Sequence, residues 1–207
     1  VSINAAGTNS GNAPSGSLGQ QQVRYDLSDN GRFIAFISLA SNLNLITDAN
    51  NKNDIYLRDM QNHFTYLVTI NRNGTGAAND VSLDPSISGD GHLIAYTSIA
   101  GDLVANDVNS NQDVFIFNLQ TQVTTCASRS VNTGSTSSFP SFTPTISKNG
   151  SRVVYFTSTW DLTHVTIPFS NQYQNIVVYD LGLRENFLVS VNPDNNQSGN
   201  DISGSSD

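Results

Sequence analysis

The chain has 207 residues, of which 37% are hydrophobic and only 13% are charged, and its formal net charge is −8 at pH 7. With only nine lysines and arginines, it lacks the basic surface of a nucleic-acid binder. No apolar run approaches the roughly 18 residues of a membrane-spanning helix, so we expect no membrane insertion. Polarity comes instead from Asn, Ser, Thr and Gln, which favours a loop-rich all-β protein. This composition suggests an extracellular, cell-surface or periplasmic location.

The ends of the chain and its single cysteine add two expectations. Cys126 lies in a strand-like run and is expected to be a small buried side chain, because it has no partner for an intrachain disulfide. Val1 is not an initiator methionine, and no signal-peptide pattern follows it. We therefore expect a polypeptide that is processed, excised or part of a longer protein.

A short sequence motif recurs along the chain, and its copies predict how the chain divides into repeat units. Val1-Ser2-Ile3-Asn4 returns as Val68-Thr69-Ile70-Asn71 and as Val189-Ser190-Val191-Asn192, and each copy precedes a Gly-, Asn- and Ser-rich connector. We interpret the whole chain as one repeat domain. Its predicted parts are an outer strand with a connector (1–22), three equivalent units (23–70, 71–128 and 129–191), and a lead-in to a further unit or a tail (192–207).

Each unit contains a tight polar turn that leads into an apolar run. The copies start at Ser28, Ser88 and Ser147, and their Asn-Gly and Asp-Gly pairs favour primed two-residue hairpin turns. Each apolar run ends at a serine, and these serines lie 60 residues apart. We interpret Ser151 as an inserted residue in the third copy. The closing serines are Ser38, Ser98 and Ser158.

Four short strands are predicted in every unit, with no window of helical periodicity. One strand precedes the polar turn, one follows it, one follows a long polar loop, and the last follows a second short turn. Four antiparallel strands that repeat at this period are typical of β-propeller blades. The predicted fold is therefore an all-β propeller segment of three four-stranded blades.

Two sequence segments of the second unit resemble a known repeat. Residues 85–96 (Pro-Ser-Ile-Ser-Gly-Asp-Gly-His-Leu-Ile-Ala-Tyr) and 112–119 (Gln-Asp-Val-Phe-Ile-Phe-Asn-Leu) look like the WD40-like (PD40) repeats of the TolB-type propeller family. The resemblance covers nearly the whole chain and implies the fold, but the family has no single activity. The third unit departs from the pattern, because Asn175 stands where the others have Asp54 and Asp113.

Three blades are fewer than the four to eight of known propellers. The chain is therefore expected to be part of a six- to eight-bladed propeller, or to associate with other copies through its open blade edges.

Two loops carry a pattern of candidate metal ligands, D-x-N-x-x-x-D, just before the third strand of a unit. Carboxylate and amide oxygens are the ligands that Ca²⁺ prefers, so a calcium site is one interpretation. The other is that these side chains bond nearby backbone groups and hold the loop, since the pattern lacks the glycine and closing glutamate of an EF-hand. The candidate residues are Asp48, Asn50, Asp54, Asp107, Asn109 and Asp113.

The long loop of the third unit contains a candidate ligand surface. Trp160, Asp161, His164 and Tyr173 lie in or beside it, and an aromatic ring in a propeller loop stacks on sugars or peptides. The alternative is that Trp160 covers a seam between blades. No G-x-S-x-G elbow and no histidine pair with zinc-ligand spacing occur in the chain, so no catalytic residue or obligatory cofactor is expected.

These observations favour a non-catalytic module for recognition of a protein or glycan, or for extracellular assembly. Two alternatives stay open. The chain is the propeller domain of a larger secreted enzyme such as a serine peptidase, or it is a structural subunit of a surface layer or filament.

Overall fold

The structure is a computed structural model that describes residues 2–16, 25–163 and 174–191. Twelve strands form within these ranges, and no helix in this part of the chain is long and apolar enough to cross a membrane. The strands are β1 (Tyr25–Leu27), β2 (Phe33–Ser38), β3 (Asp54–Asp59), β4 (Phe64–Leu67), β5 (Ser82–Ile87), β6 (Leu93–Ser98), β7 (Asp113–Asn118), β8 (Val123–Cys126), β9 (Ser141–Ile146), β10 (Arg152–Thr157), β11 (Asn175–Asp180) and β12 (Glu185–Leu188).

The strands form three four-stranded antiparallel sheets, each made of four strands that follow one another in the chain. We call them blade 1 (β1–β4), blade 2 (β5–β8) and blade 3 (β9–β12). This strand order is that of propeller blades, so the predicted all-β propeller segment is confirmed. The fourth strands end at Leu67, Cys126 and Leu188, before the predicted ends of the units at residues 70, 128 and 191.

The core lies between the blades. Leu57 of blade 1 and Phe117 of blade 2 belong to one buried cluster, and Ile116 of blade 2 and Tyr155 of blade 3 belong to the next. Because successive side chains of a strand point to opposite faces, blade 2 contributes alternate residues of the same strands to both clusters. This explains why its central strands are apolar along nearly their whole length.

The polar turns differ from the predicted primed type. In blade 2, the Gly91 amide donates to the Ser88 carbonyl at 2.9 Å, and the Leu93 amide donates to the Ser88 hydroxyl at 3.0 Å. Gly91 has a φ of +80°, but Asp90 does not have a positive φ. A type I′ turn needs positive φ at both central residues, so that prediction was wrong. Gly91 instead lies within a longer turn that Ser88 and Leu93 close, and the Ser88 hydroxyl caps this turn.

The third unit contains no insertion. Ser147 and Arg152 close its turn through an amide-to-carbonyl bond of 2.8 Å, and Ser88 and Leu93 close the second turn over the same separation at 2.9 Å. The prediction that Ser151 is an inserted residue was therefore wrong. Thr157, not Ser158, takes the place of the closing serines Ser38 and Ser98, which are likewise the last residues of β2 and β6.

Short hairpins connect the blades. Ile70 bridges to Ala77 between blades 1 and 2, and Arg129 bridges to Thr136 between blades 2 and 3. Ile3 bridges to Ser10 in the same way, so the described start of the chain forms a connector hairpin where an outer strand was expected.

Candidate functional site

The D-x-N-x-x-x-D pattern of blade 1 forms a network within the protein. The Asn50 side-chain amide donates to the Asp54 carboxylate at 2.8 Å and to the Ala78 carbonyl at 2.6 Å. The Asn50 side-chain oxygen in turn accepts from the Lys52 amide at 2.7 Å. Because Ala78 lies in the next connector, Asn50 ties the long loop to the start of blade 2.

Blade 2 repeats this network with its own residues. The Asn109 side-chain amide donates to the Asp113 carboxylate at 3.0 Å and also to the Ser137 carbonyl, and its oxygen accepts from the Asn111 amide at 2.8 Å. The two copies therefore hold equivalent loops against equivalent connectors.

The last aspartate of each pattern joins the start of the third strand to a hydroxyl just after the fourth strand. Thr69 donates its hydroxyl to Asp54 at 2.6 Å, and Ser128 donates its hydroxyl to Asp113. In blade 3 the Ser190 hydroxyl donates to Asn175 at 3.0 Å. Burial raises the pKa of both Asp54 and Asp113 to about 7, because desolvation penalises the charged form.

The first aspartates of the two patterns have partners of their own. Asp48 accepts from the Tyr56 hydroxyl at 2.7 Å, and Asp107 accepts from the Thr136 hydroxyl at 3.2 Å. Among the described residues, no group of three His, Cys, Asp or Glu side chains converges as a metal site would require. This geometry supports a role in holding the loops, and calcium binding stays a prediction.

The predicted ligand surface in the third long loop is only partly described. Trp160 is 38% exposed, whereas Asp161 is buried. The Asp161 carbonyl accepts from the Val131 amide at 2.8 Å, and its carboxylate accepts from the Thr159 hydroxyl, so Asp161 holds the loop. His164 and Tyr173 lie outside the described residues.

A groove of about 700 Å³ lies along the outer edge of the seam between blades 1 and 2. It is lined by the connector after blade 1, by the long loop of blade 2 and by β8, the edge strand of that blade. The lining residues fall in ranges 70–74, 103–105 and 122–126, with Arg129 beside them.

Two arginines give the groove its charge. Arg72 donates to the Val104 carbonyl at 3.2 Å, and Arg129 donates to the Ala105 carbonyl at 3.4 Å and to the Gly134 carbonyl. Each guanidinium carries five N–H donors in a planar fork, which suits carboxylates. The described lining residues include no acidic side chain, so the groove is a cationic site on an acidic protein.

Sequence reasoning missed this groove because three distant segments build it. Each segment has an ordinary composition for a connector or an edge strand. One signal was present: Arg129 occupies the connector position that is apolar in the other hairpins, where Ile3 and Ile70 make the equivalent bridge.

Comparisons with known proteins place this fold among larger propellers. The chain is similar to TolB from Acinetobacter baumannii (14% identity, TM-score 0.46), with 79% of this chain and 31% of that chain covered. It is similar to the β-propeller domain of the Trilobed protease from Pyrococcus furiosus (12% identity, TM-score 0.47), with 82% and 43% covered. It is also similar to the AtxE2 isopeptidase (13% identity, TM-score 0.49), with 88% and 31% covered.

The similarity to TolB and to protease propeller domains concerns the fold alone. The chain spans less than half the length of each of these three structures. No protein-family model matches the chain, and no curated protein matches it.

Proposed function

We propose that this chain is a non-catalytic recognition module that works outside the cytoplasm and binds an extended acidic segment of a partner protein. The observation that supports this is the groove at the seam of blades 1 and 2, whose lining combines Arg72 and Arg129 with apolar residues and an edge strand.

The edge strand provides main-chain recognition. β8 ends its sheet and pairs only with β7, so alternate residues turn their backbone N–H and C=O groups away from the blade. A peptide that adds as a further strand gains main-chain hydrogen bonds there. Val123 is 53% exposed on this strand and offers apolar contact area to such a peptide.

The arginines provide selectivity for acidic side chains. Arg72 is exposed and lies in the connector after blade 1, which lines the groove. Arg129 is half-buried and also interacts with the carboxylate of Asp107. We therefore expect Arg72 to be the stronger anchor for an incoming carboxylate.

The proposal assigns binding and no chemistry to the groove. Its described lining includes no histidine or carboxylate, and burial raises the pKa of the Cys126 thiol to about 12. The thiol is therefore protonated at neutral pH and is a poor nucleophile.

Fluorescence polarisation with a labelled glutamate-rich peptide and a glutamine-substituted copy tests this function. We expect the glutamate peptide to bind more tightly at low salt, and Arg72→Gln to weaken its binding about tenfold. Arg184→Gln, which removes an exposed arginine on blade 3, should leave its binding unchanged.

Equal binding of the two peptides, or an unchanged affinity after Arg72→Gln, would contradict the proposal. Binding of an acidic oligosaccharide in place of both peptides would assign the groove to a glycan.

A further inference from the structure

The two junctions between blades repeat the same contacts. A junction with any further blade is therefore expected to use these contacts as well. At the polar turns, the Asp29 amide donates to the Gly89 carbonyl at 2.9 Å, and the Gly89 amide donates to the Lys148 carbonyl at 2.8 Å. Equivalent residues of blades 1, 2 and 3 thus form one continuous hydrogen-bonded ladder.

The innermost strands repeat a second contact. The Ile87 amide donates to the Asp26 carboxylate at 2.9 Å, and the Ile146 amide donates to the Ser86 hydroxyl at 3.2 Å. In each junction, a polar side chain of one blade accepts a bond from the backbone of the next blade.

A third contact packs a side chain against the next turn. Phe33 of blade 1 lies against Gly91 of blade 2, and Leu93 of blade 2 lies against Gly150 of blade 3. A methyl group on Gly91 would come within 2.3 Å of the Phe33 ring. Glycine is therefore needed in both turns where a neighbouring blade is present.

Within the described part of the chain, blade 3 presents the first half of this junction without a neighbouring blade. Val154 is 41% exposed, although its counterparts Ala35 and Ala95 are fully buried. Arg152 is exposed at the position of Phe33 and Leu93. Thr145 is exposed and precedes Ile146, as Ser86 precedes Ile87, so its hydroxyl stands at the acceptor position.

Blade 1 presents the second half, again with no neighbouring blade among the described residues. Leu27 is 48% exposed, although its counterparts Ile87 and Ile146 are buried. The Leu27 amide donates to the carboxylate of its own neighbour Asp26 instead of to another blade. Among the described residues, no heavy atom would lie within 4 Å of a methyl group on Gly31.

The uncovered part of blade 1 is the half nearest the polar turn. Phe36 and Tyr56, in the other half of this face, are buried in a cluster with Leu43 of the long loop. The equivalent Leu103 and Leu162 are also buried in the existing junctions, so this cover is compatible with a neighbouring blade.

We propose that the uncovered face of blade 3 docks onto blade 1 of a second copy of this chain, with the contacts of the internal junctions. The internal junctions identify the occupant. Blade 1 of a second copy presents a turn glycine (Gly31), an apolar residue (Leu27) and the Leu27 backbone amide, at the positions through which blades 2 and 3 contact the preceding blade. Two such head-to-tail contacts bring six blades together, within the range of closed propellers. This proposal does not depend on the function of the groove.

Sedimentation velocity over a concentration series tests the proposal. We expect the wild-type chain to reach twice the chain mass, and Val154→Asp and Leu27→Asp each to sediment as monomers. Since each variant retains one intact face, an equimolar mixture of the two should form a one-to-one complex. Val108→Asp, which changes an exposed residue in the long loop of blade 2, should dimerise like the wild type.

Thermal unfolding of each variant confirms that its blades are folded before association is compared. A wild-type chain that stays monomeric at every concentration overturns the proposal, and so does a mixture that fails to associate. A dimer that is broken by Val154→Asp but not by Leu27→Asp would show that blade 3 meets blade 3, and would also overturn it.

Discussion

Two aspartate side chains of this protein are buried although they are polar. Asp54 and Asp113 are fully buried, and each accepts hydrogen bonds from a side-chain amide and a hydroxyl. Those bonds offset part of the desolvation cost of the charged form, but the pKa of each carboxyl still rises to about 7. The loop networks are thus sensitive to pH.

This titration predicts how stability depends on pH. A raised pKa means that the folded state binds the proton more tightly than the unfolded state does, so the stability contribution of Asp54 and Asp113 is full below about pH 4 and is lost as the pH rises to about 7. Urea unfolding at a series of pH values should show the free energy of unfolding falling across this window. The limiting slope is about 1.4 kcal/mol per pH unit for each group.

Asp113→Asn should reduce that slope by about half, because one of the two groups is removed. Asp59 provides a control of opposite sign, since its bond to Arg32 lowers the pKa of its carboxyl to about 2. Asp59→Asn should change the slope only below about pH 4. A wild-type free energy of unfolding that rises between pH 4 and pH 7 would contradict these assignments.

At the scale of the element, the strands owe their burial patterns to their neighbours. β2 and β6 are buried along nearly their whole length, whereas β10 alternates between exposed and buried residues from Arg152 to Tyr155. The three strands have similar apolar sequences. The difference arises because both faces of β6 meet another blade, and β2 is covered by blade 2 on one face and by long-loop residues such as Leu43 on the other. Among the described residues, β10 has a neighbouring blade on one face only.

The first strand of blade 3 contains a strained residue. Thr143 has a φ of +50° at an irregularity in its pairing with β10. A β-branched residue at positive φ is unfavourable, while asparagine tolerates this conformation. Thr143→Asn should therefore raise the free energy of unfolding by about 0.5–1 kcal/mol, as measured by urea unfolding.

Thr125→Asn is the matched control, because Thr125 is exposed in the regular strand β8 and has no positive φ. Asparagine is disfavoured in regular strands, so this control should be neutral or destabilising. Equal effects of the two substitutions would exclude relief of backbone strain as the cause.

At the scale of the whole molecule, the turn ladder connects the three blades at one point. Gly89 donates to Lys148 and accepts from Asp29, and the Lys148 ammonium pairs with the Asp29 carboxylate across it at 2.8 Å. That ion pair is largely exposed and therefore contributes little by itself. The close approach of the three turns depends on the absence of a side chain at Gly89.

Gly89→Ala should disrupt the ladder. Its methyl group would come within 2.4 Å of the Asp29 carboxylate and within 2.8 Å of the Lys148 carbonyl. We expect a loss of about 1–3 kcal/mol in the free energy of unfolding, measured by urea unfolding. Gly101→Ala meets only an ordinary contact of 3.5 Å and should have a small effect. Similar losses in both variants would contradict a special role for Gly89.

The repeat, the four-stranded blades and the identity of the loop aspartates could be predicted from sequence, because each depends on local patterns and on their recurrence along the chain. The turn glycines also follow from local chemistry, because Gly31, Gly91 and Gly150 have a positive φ that favours glycine. Sequence reasoning misplaced Ser151, since sequence spacing cannot distinguish an insertion in the turn from a shorter segment elsewhere.

Which blade faces are covered, and where the contacts between units form, could be read only from the packing of the blades. Val154 and Ala95 occupy equivalent positions in similar strands, yet one is exposed and the other is buried. The groove with Arg72 and Arg129 likewise needs a connector, a loop and an edge strand from separate parts of the chain. Burial and site geometry depend on the relative placement of blades, which no single repeat specifies.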